Sequence, residues 1–323
     1  MAKKILITGA AGFIGSHLSE LLLTEGFKVV GLDNFDSFYS KELKLANLSS
    51  IQSNNNAANF SFYEVDICNK EQLYSIQDDI DLVVHIAAKA GVRPSIQNPT
   101  VYIDTNINGT QNVLDFMRER EVDKIVFASS SSIYGNNKKT PFSELDDVGR
   151  PISPYAFTKR ANELQIHTYH YLYEIDAICL RFFTVFGPRQ RPDLAIRKFI
   201  SLIQNNEPIE MYGDGSTGRD YTYVQDTVAG ILLAINYLVN HKKVYEIVNL
   251  GNSKPLSLRE MIDTIYEVLG KEKNIKQLPM QPGDVEQTFA DISKAKELLN
   301  YSPKVGFKEG ISRFIEWHKL SKK

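Results

Sequence analysis

Two cysteines, one tryptophan and six histidines are all that this chain of 323 residues carries of these types. Cys68 and Cys179 lie in strand-like stretches with no neighbouring metal ligand, which excludes a disulfide framework and predicts buried, reduced thiols. The histidines form no HxxxH or HxH pair, so no metal is expected. His167 and His170, set among Tyr169, Tyr171 and Tyr173, are expected on a solvated or interface face. A net charge of −2 gives no global attraction to nucleic acid. No apolar run approaches the ~18 residues of a membrane span. "MAKK" runs straight into an apolar strand pattern, where a signal peptide would have a longer apolar core. These absences describe a cytoplasmic protein with neither nucleic acid nor membrane as partner.

Hydrophobic residues make up 43% of the chain and charged residues 24%, and the length suffices for one large α/β domain with a smaller one. Apolar strand patterns recur at Lys4 to Thr8, Lys28 to Leu32, Phe60 to Val65, Leu82 to Ile86, Lys124 to Ala128 and Ala177 to Arg181, with helical patterns between them. That alternation predicts a doubly wound parallel sheet, whose ligands bind beyond the carboxyl ends of the strands. The Asn- and Ser-rich stretch after the second strand reads as an exposed loop or short helix without chemistry. After Arg181, "GPRQRPD", "NNEP" and "GDGSTG" break the alternation and open a second region. Gln225 to Leu238 and Tyr245 to Leu250 return to the first domain. Amphipathic helices are predicted near Leu258 to Leu269, Ile292 to Leu299 and Phe307 to Leu320.

The first strand runs into "TGAAGFIG", with Gly9, Gly12 and Gly15 three apart, and then into a helical period through Leu18, Leu21 and Leu22. Strand, glycine turn and helix present free backbone N–H groups and a positive helix end to an anion. Asp33 closes the second strand near the ~20-residue spacing at which a carboxylate meets an adenosine ribose, so the pattern reads as a dinucleotide site. Further along, "SPYAFTK" sets Tyr155 and Lys159 four apart on one helical face, after the serines 129–132 that end the fifth strand. A phenol becomes a base at neutral pH only when a nearby cation favours its phenolate, and Lys159 is the expected source of that charge.

In order along the chain, "TGAAGFIG", Asp33, "VDI", "HIAAKAGVR", "NINGTQN", "SSSSIYG", "YAFTK", "LRFFTVFGP" and "GRDYTYVQD" resemble the extended short-chain dehydrogenase/reductase family over nearly the whole length. The resemblance implies a Rossmann sheet holding NAD through Gly9, Gly12, Phe13, Ile14, Gly15, Asp33 and Asn34. Asp66 and Ile67 would lie near adenine, with Ala87, Lys89 and Asn106 along the pyrophosphate and ribose, and Tyr155 and Lys159 at the nicotinamide end. It divides the chain into an NAD-binding domain of residues 1–183 and 223–250 and a nucleotide-sugar domain of 184–222 and 251–323.

Sugar-nucleotide dehydratases of this family carry an acid, typically in Thr-Asp-Glu, where this chain has Ser130, Ser131 and Ser132. The chain is therefore similar to the 4-epimerases, with Tyr155, Lys159 and Ser130 catalytic. Thr184 replaces the Asn of glucose-type enzymes, and Arg191 to Asp193 is similar to UDP-glucuronate 4-epimerases, so Ser130, Ser131, Ser132, Thr184 and Arg191 are expected around a substrate carboxylate. Arg219 is expected on the diphosphate, and Gln281 and Asp284 on sugar or ribose. Epimerisation of UDP-glucose or UDP-N-acetylglucosamine stays an alternative, as does a dinucleotide-sensing module without turnover. The helices around Gln111 to Arg118 and Tyr155 to Tyr173 resemble the pair that makes homodimer interfaces in this family.

Overall fold

A computed structural model describes residues 3–279 and 287–320. Seven strands form one sheet: β1 (Lys4–Thr8), β2 (Lys28–Asp33), β3 (Phe60–Glu64), β4 (Leu82–His85), β5 (Lys124–Ser130), β6 (Asp176–Phe182) and, later in the chain, β10 (Tyr245–Leu250). Their order is β10-β6-β5-β4-β1-β2-β3, and every pairing is parallel. The chain winds outward from β1 to β3, returns beside β1 as β4, and winds out the other way. The crevice between β1 and β4 is thus the switch point at which such sheets bind ligands.

Both faces of the sheet are covered, which is why its strands read as continuous apolar runs. Side chains alternate along β1: Ile5 and Ile7 pack with α1 (Phe13–Thr24) and the later α9 (Val224–Asn240). Leu6 packs on the other face with α6 (Gly109–Glu119) and α7 (Pro154–Tyr173). Between β2 and β3 lies α2 (Lys41–Gln52). Ahead of α6 come the short α3 (Lys70–Tyr74), α4 (Val92–Gln97) and α5 (Pro99–Tyr102), the last continuing into a π-helical turn, Ile103–Asn108.

The second region adds β7 (Thr184–Phe186), α8 (Ala195–Gln204), β8 (Ile209–Tyr212) and β9 (Gly218–Tyr223) before α9. After β10 come β11 (Pro255–Ser257), α10 (Leu258–Leu269), β12 (Ile275–Leu278), α11 (Ser293–Leu299) and α12 (Phe307–Leu320). Two small sheets, β11-β9-β7 and β12-β8, share a separate core of Phe186, Ile200, Tyr221, Ile262 and Phe314.

Two expectations change here. α11 does not join that second core: Ala295 and Leu299 are buried in the main sheet's core with Val248 and Ile231, so the expected 251–323 block is split between the lobes. Cys68 is exposed in a turn, because the Asp66 carboxylate accepts the Cys68 N–H and bends the chain just beyond β3. Cys179, inside β6, is buried as expected. His167 and His170 flank one ring, Tyr245, at 4.8 and 5.7 Å. Among the described residues no helix is long and apolar enough to cross a membrane, and no group of three or more His, Cys, Asp or Glu is placed to hold a metal ion.

Candidate active site

A cavity of about 480 Å³ opens at the carboxyl ends of the strands and runs from the β1 turn to the start of α7. Gly9 has φ +75°, a conformation costly for any residue with a Cβ. Its carbonyl accepts the Gly12 N–H at 3.1 Å. At Gly15 a Cβ would lie 2.1 Å from that same carbonyl, so the turn closes only without a side chain. α1 has no side-chain cap at Gly12 and no acid in its first turn. Gly12, Phe13, Ile14 and Gly15 line the cavity. The positive helix end is left for an anion.

Asp33 lies at the tip of β2, buried, with its carboxylate accepting the Ala11 N–H at 3.2 Å and the Phe35 N–H at 2.9 Å. Burial pushes its pKa up, opposed by the Lys44 ammonium and those two N–H groups. Lys44 is itself buried, 3.7 Å from Asp33 Oδ1 and donating to the Asp36 carbonyl at 2.9 Å. Asn34 donates to Asp66, and both line the cavity with Ile67. Lys89 lines it too, its ammonium 2.7 Å from each Asp36 oxygen. Burial raises the Asp36 pKa, but Lys89, the Phe38 N–H and Lys44 together leave a net lowering. The segment after β2, expected to carry no chemistry, thus contributes Asp36, Phe38, Tyr39 and Lys44 to the cavity wall. A lysine in an amphipathic helix gives no sequence signal of facing inward.

At the other end, β5 delivers Ser130 and α7 delivers Tyr155 and Lys159, one turn apart. The start of α7 is fixed by the Ser153 side chain, which accepts the Ala156 N–H at 3.1 Å. Burial pushes the Tyr155 phenol up, while a hydrogen bond with Ser130 and the charge of Arg191 pull it down. Lys159 is buried and donates to the Ala128 carbonyl at 2.7 Å. Burial brings its pKa down to about 7, against the opposing charges of Cys179 and Glu163. Arg191 thus adds a cation near Tyr155 that the sequence did not point to, beside Lys159 one turn further along α7. Ser131, Thr184, Ala87 and Arg191 complete this end of the wall.

Three expected residues stand off the cavity. Asn106, in the π-helical turn, is buried with its amide committed to the Lys89 backbone N–H (2.8 Å), the Lys89 carbonyl (3.0 Å) and Thr158 (2.9 Å), so it fixes the wall from behind. Ser132 follows Ser130 into a turn of 3₁₀-helix, Ser131–Tyr134, and does not line the cavity. Arg219 lies in β9, its guanidinium donating to the Gly218 carbonyl at 2.8 Å, and likewise stands outside the lining. Gln281 and Asp284 lie outside the described residues.

A buried frame behind the site escaped the sequence. Glu163, one turn after Lys159, receives a two-pronged contact from Arg181 at 2.9 Å and 2.9 Å, plus the Ser129 hydroxyl at 2.7 Å. Arg181 also donates to Tyr134, which donates to Asn249. The available signal was the charge of Arg181 inside the apolar "CLRFF"; Glu163, in the mixed "RANELQI", gave none.

Known proteins resemble this chain over nearly its whole length. A family profile described as GDP-mannose 4,6 dehydratase matches residues 6–314. UDP-glucuronate 4-epimerase of Thermodesulfobacterium geofontis is 43% identical over 317 residues, 97% of this chain and 95% of that protein. An uncharacterised protein of Methanocaldococcus jannaschii is 48% identical over 319 residues, 98% of this chain and 96% of that one. The crystal structure of UDP-glucuronic acid 4-epimerase from Bacillus cereus, in complex with UDP-glucuronic acid and NAD, superposes with a TM-score of 0.91. It is 38% identical, covering 98% of this chain and 99% of that one. UDP-glucose 4-epimerase of Thermotoga maritima, solved with UDP-glucose, superposes at 0.89 with 31% identity, covering 99% and 100%. With its glycine turn, its Tyr155–Lys159 pair and matches running nearly end to end, the chain belongs to the GDP-mannose 4,6 dehydratase family of extended short-chain dehydrogenases/reductases.

Proposed function

We propose that this protein is an NAD-dependent UDP-sugar 4-epimerase whose substrate pair is UDP-glucuronate and UDP-galacturonate. The observation that carries the reading is one cavity with an anion-binding turn and buried Asp33 at one end and Ser130, Tyr155, Thr184 and Arg191 at the other. The site fits NAD: the Gly9–Gly15 turn leaves no room for side chains where a pyrophosphate would lie, and the Asp33 carboxylate suits a ribose diol. Gly12, Phe13, Ile14, Gly15, Asp33, Asn34, Asp66, Ile67, Ala87 and Lys89 would hold it. When bound, NAD supplies a reversible hydride acceptor, so that C4 of the sugar passes through a ketone with no net redox change.

The chain's own residues manage the proton and the charges. The Tyr155 phenolate accepts the proton of the sugar 4-hydroxyl and returns it to the oxygen after the ketone has turned over. Ser130, hydrogen-bonded to the phenol, and the Arg191 guanidinium both favour the phenolate. No Asp or Glu follows Ser130 in the serine run to expel water, so the ketone is returned as an alcohol. Arg191, Ser131 and Thr184 suit a C5 carboxylate. Holding that group matters because a 4-ketouronate is a β-keto acid that loses CO₂ when its carboxylate turns perpendicular to the ketone.

The test is to incubate the protein with UDP-glucuronate, UDP-galacturonate, UDP-glucose and UDP-N-acetylglucosamine and follow the products by NMR. Interconversion of the two uronates is expected. Turnover of UDP-glucose alone would move the reading to a neutral-hexose epimerase, and turnover of none to a dinucleotide-sensing module.

The nucleotide-sugar side is assigned to 184–222 and to the C-terminal region apart from α11. A homodimer through α7 is supported by Phe157, Leu164 and Tyr171, seven residues apart and exposed at 46%, 52% and 79%. Light scattering should give twice the chain mass for the wild type and the single mass for Leu164→Glu; a monomeric wild type would overturn this assembly. Two free cysteines accord with a cytoplasmic location.

A further inference from the structure

Arg191 is not a lone cation on the cavity wall. Its Nε donates to Asp193 Oδ1 at 3.0 Å and its Nη2 to Asp193 Oδ2 at 2.9 Å, a side-on, two-pronged contact. The Phe38 ring lies 4.8 Å from the guanidinium carbon. Arg191 and Phe38 line the cavity, whereas Asp193 does not; its side chain is 44% exposed. Of the five N–H donors of a guanidinium, the contact with Asp193 consumes the Nε hydrogen and one on Nη2. The end-on edge, formed by the second Nη2 hydrogen and one Nη1 hydrogen, has no hydrogen-bond acceptor among the described residues.

We infer that Asp193 and Phe38 are positioning residues that turn the end-on edge of Arg191 into the cavity as a receptor for the substrate's carboxylate. This rests on the uronate reading above. An arginine fork binds a carboxylate through two parallel N–H···O bonds, and that geometry survives only if the guanidinium plane is held. Phe38 restricts the plane from one face, and Asp193 locks rotation about the side chain's last bonds. Because Asp193 also offsets the charge of Arg191, preference for a uronate over a neutral hexose comes from direction more than from net charge.

Binding is read on NAD-loaded protein carrying Tyr155→Phe, which stops turnover, by calorimetry with UDP-glucuronate and with UDP-glucose. Asp193→Ala should weaken UDP-glucuronate about tenfold, the order of one well-placed charge-assisted hydrogen bond, and leave UDP-glucose within about twofold. Asp193→Asn, which keeps one acceptor, should fall between. In an Arg191→Ala background, Asp193→Ala should change nothing further, because it acts through that arginine. With Tyr155 intact, Asp193→Ala should release CO₂ and a 4-keto-pentose nucleotide from UDP-glucuronate, at most one per bound NAD and leaving NADH on the protein, where the wild type does not. Equal losses for both sugars, an undiminished effect in the Arg191→Ala background, or tighter UDP-glucuronate binding would each overturn the inference. Wild-type protein that turns over UDP-glucose but not UDP-glucuronate would instead overturn the reading beneath it.

Discussion

Tyr155 is caught between burial, which favours its neutral phenol, and two groups that favour the phenolate, Ser130 and Arg191. Tyr155→Phe removes the proton acceptor but not the cavity wall, so turnover should fall by about 10²-fold or more while bound NAD is retained; near-normal turnover would remove Tyr155 from the chemistry. Arg191→Ala removes a charge that lowers the phenol's pKa, so the rising limb of the pH–rate profile should move to higher pH. An unmoved limb would mean that the charge of Arg191 does not reach the phenol. Glycines, acid and tyrosine–lysine pair were legible because each is a fixed offset along one element. Lys44, Asp36 and Asp193 were not, because their roles arise where separate segments meet: Lys44 matters only because α2 folds back against Asp33. Asn106, expected along the cofactor, was not legible as a clasp on Lys89 behind the wall, since its partners are 17 and 52 residues away.

Strand edges were readable to within about two residues, since buried parallel strands announce themselves as unbroken apolar runs. α11 was assigned to the wrong lobe because an amphipathic pattern states that one face is buried without stating against what. The turn joining β1 to α1 is the element on which both fold and cofactor site depend. Gly15→Ala drives a Cβ into the Gly9 carbonyl, and the helix can give way only by shifting its first turn out of the cavity. The variant should lose stability by about 1 to 3 kcal/mol, the usual range for an overpacked site, and should be purified without NAD. Retention of NAD at the wild-type level would mean that the turn accommodates a side chain and that the close approach is not what shapes the site.

Across the whole molecule, two buried histidines tie distant parts together and make the fold sensitive to mild acid. His85, at the end of β4, bridges Thr8 of β1 at 2.7 Å and Thr110 of α6 at 3.0 Å. His17, on α1, meets the Pro188 carbonyl of the segment after β7 at 2.9 Å, beside an Arg189–Glu20 ion pair that joins the same two segments. Burial, with help from the charge of Lys159, lowers the His85 pKa to about 3. Burial and Arg189 lower that of His17 to about 4, against the Pro188 hydrogen bond and Glu20. Both folded values lie below the unfolded 6.5, so below that pH the unfolded chain takes up protons that the folded chain refuses. The histidines' contribution to stability should therefore be full above pH 6.5 and fall as the pH drops toward 4, by about 2 kcal/mol per histidine at pH 5. Buried carboxyls with raised values, Asp33, Asp220 and Glu144, act in the opposite sense, from their unfolded values of 3.8 to 4.5 upward. Urea unfolding measured from pH 6.5 to 5 should give a slope to which the histidines contribute nearly two protons in the wild type. His85→Gln should be less stable at pH 7.5, having lost the threonine bridge, yet its slope should be smaller by about one proton. Parallel slopes for the two proteins would place the acid sensitivity elsewhere.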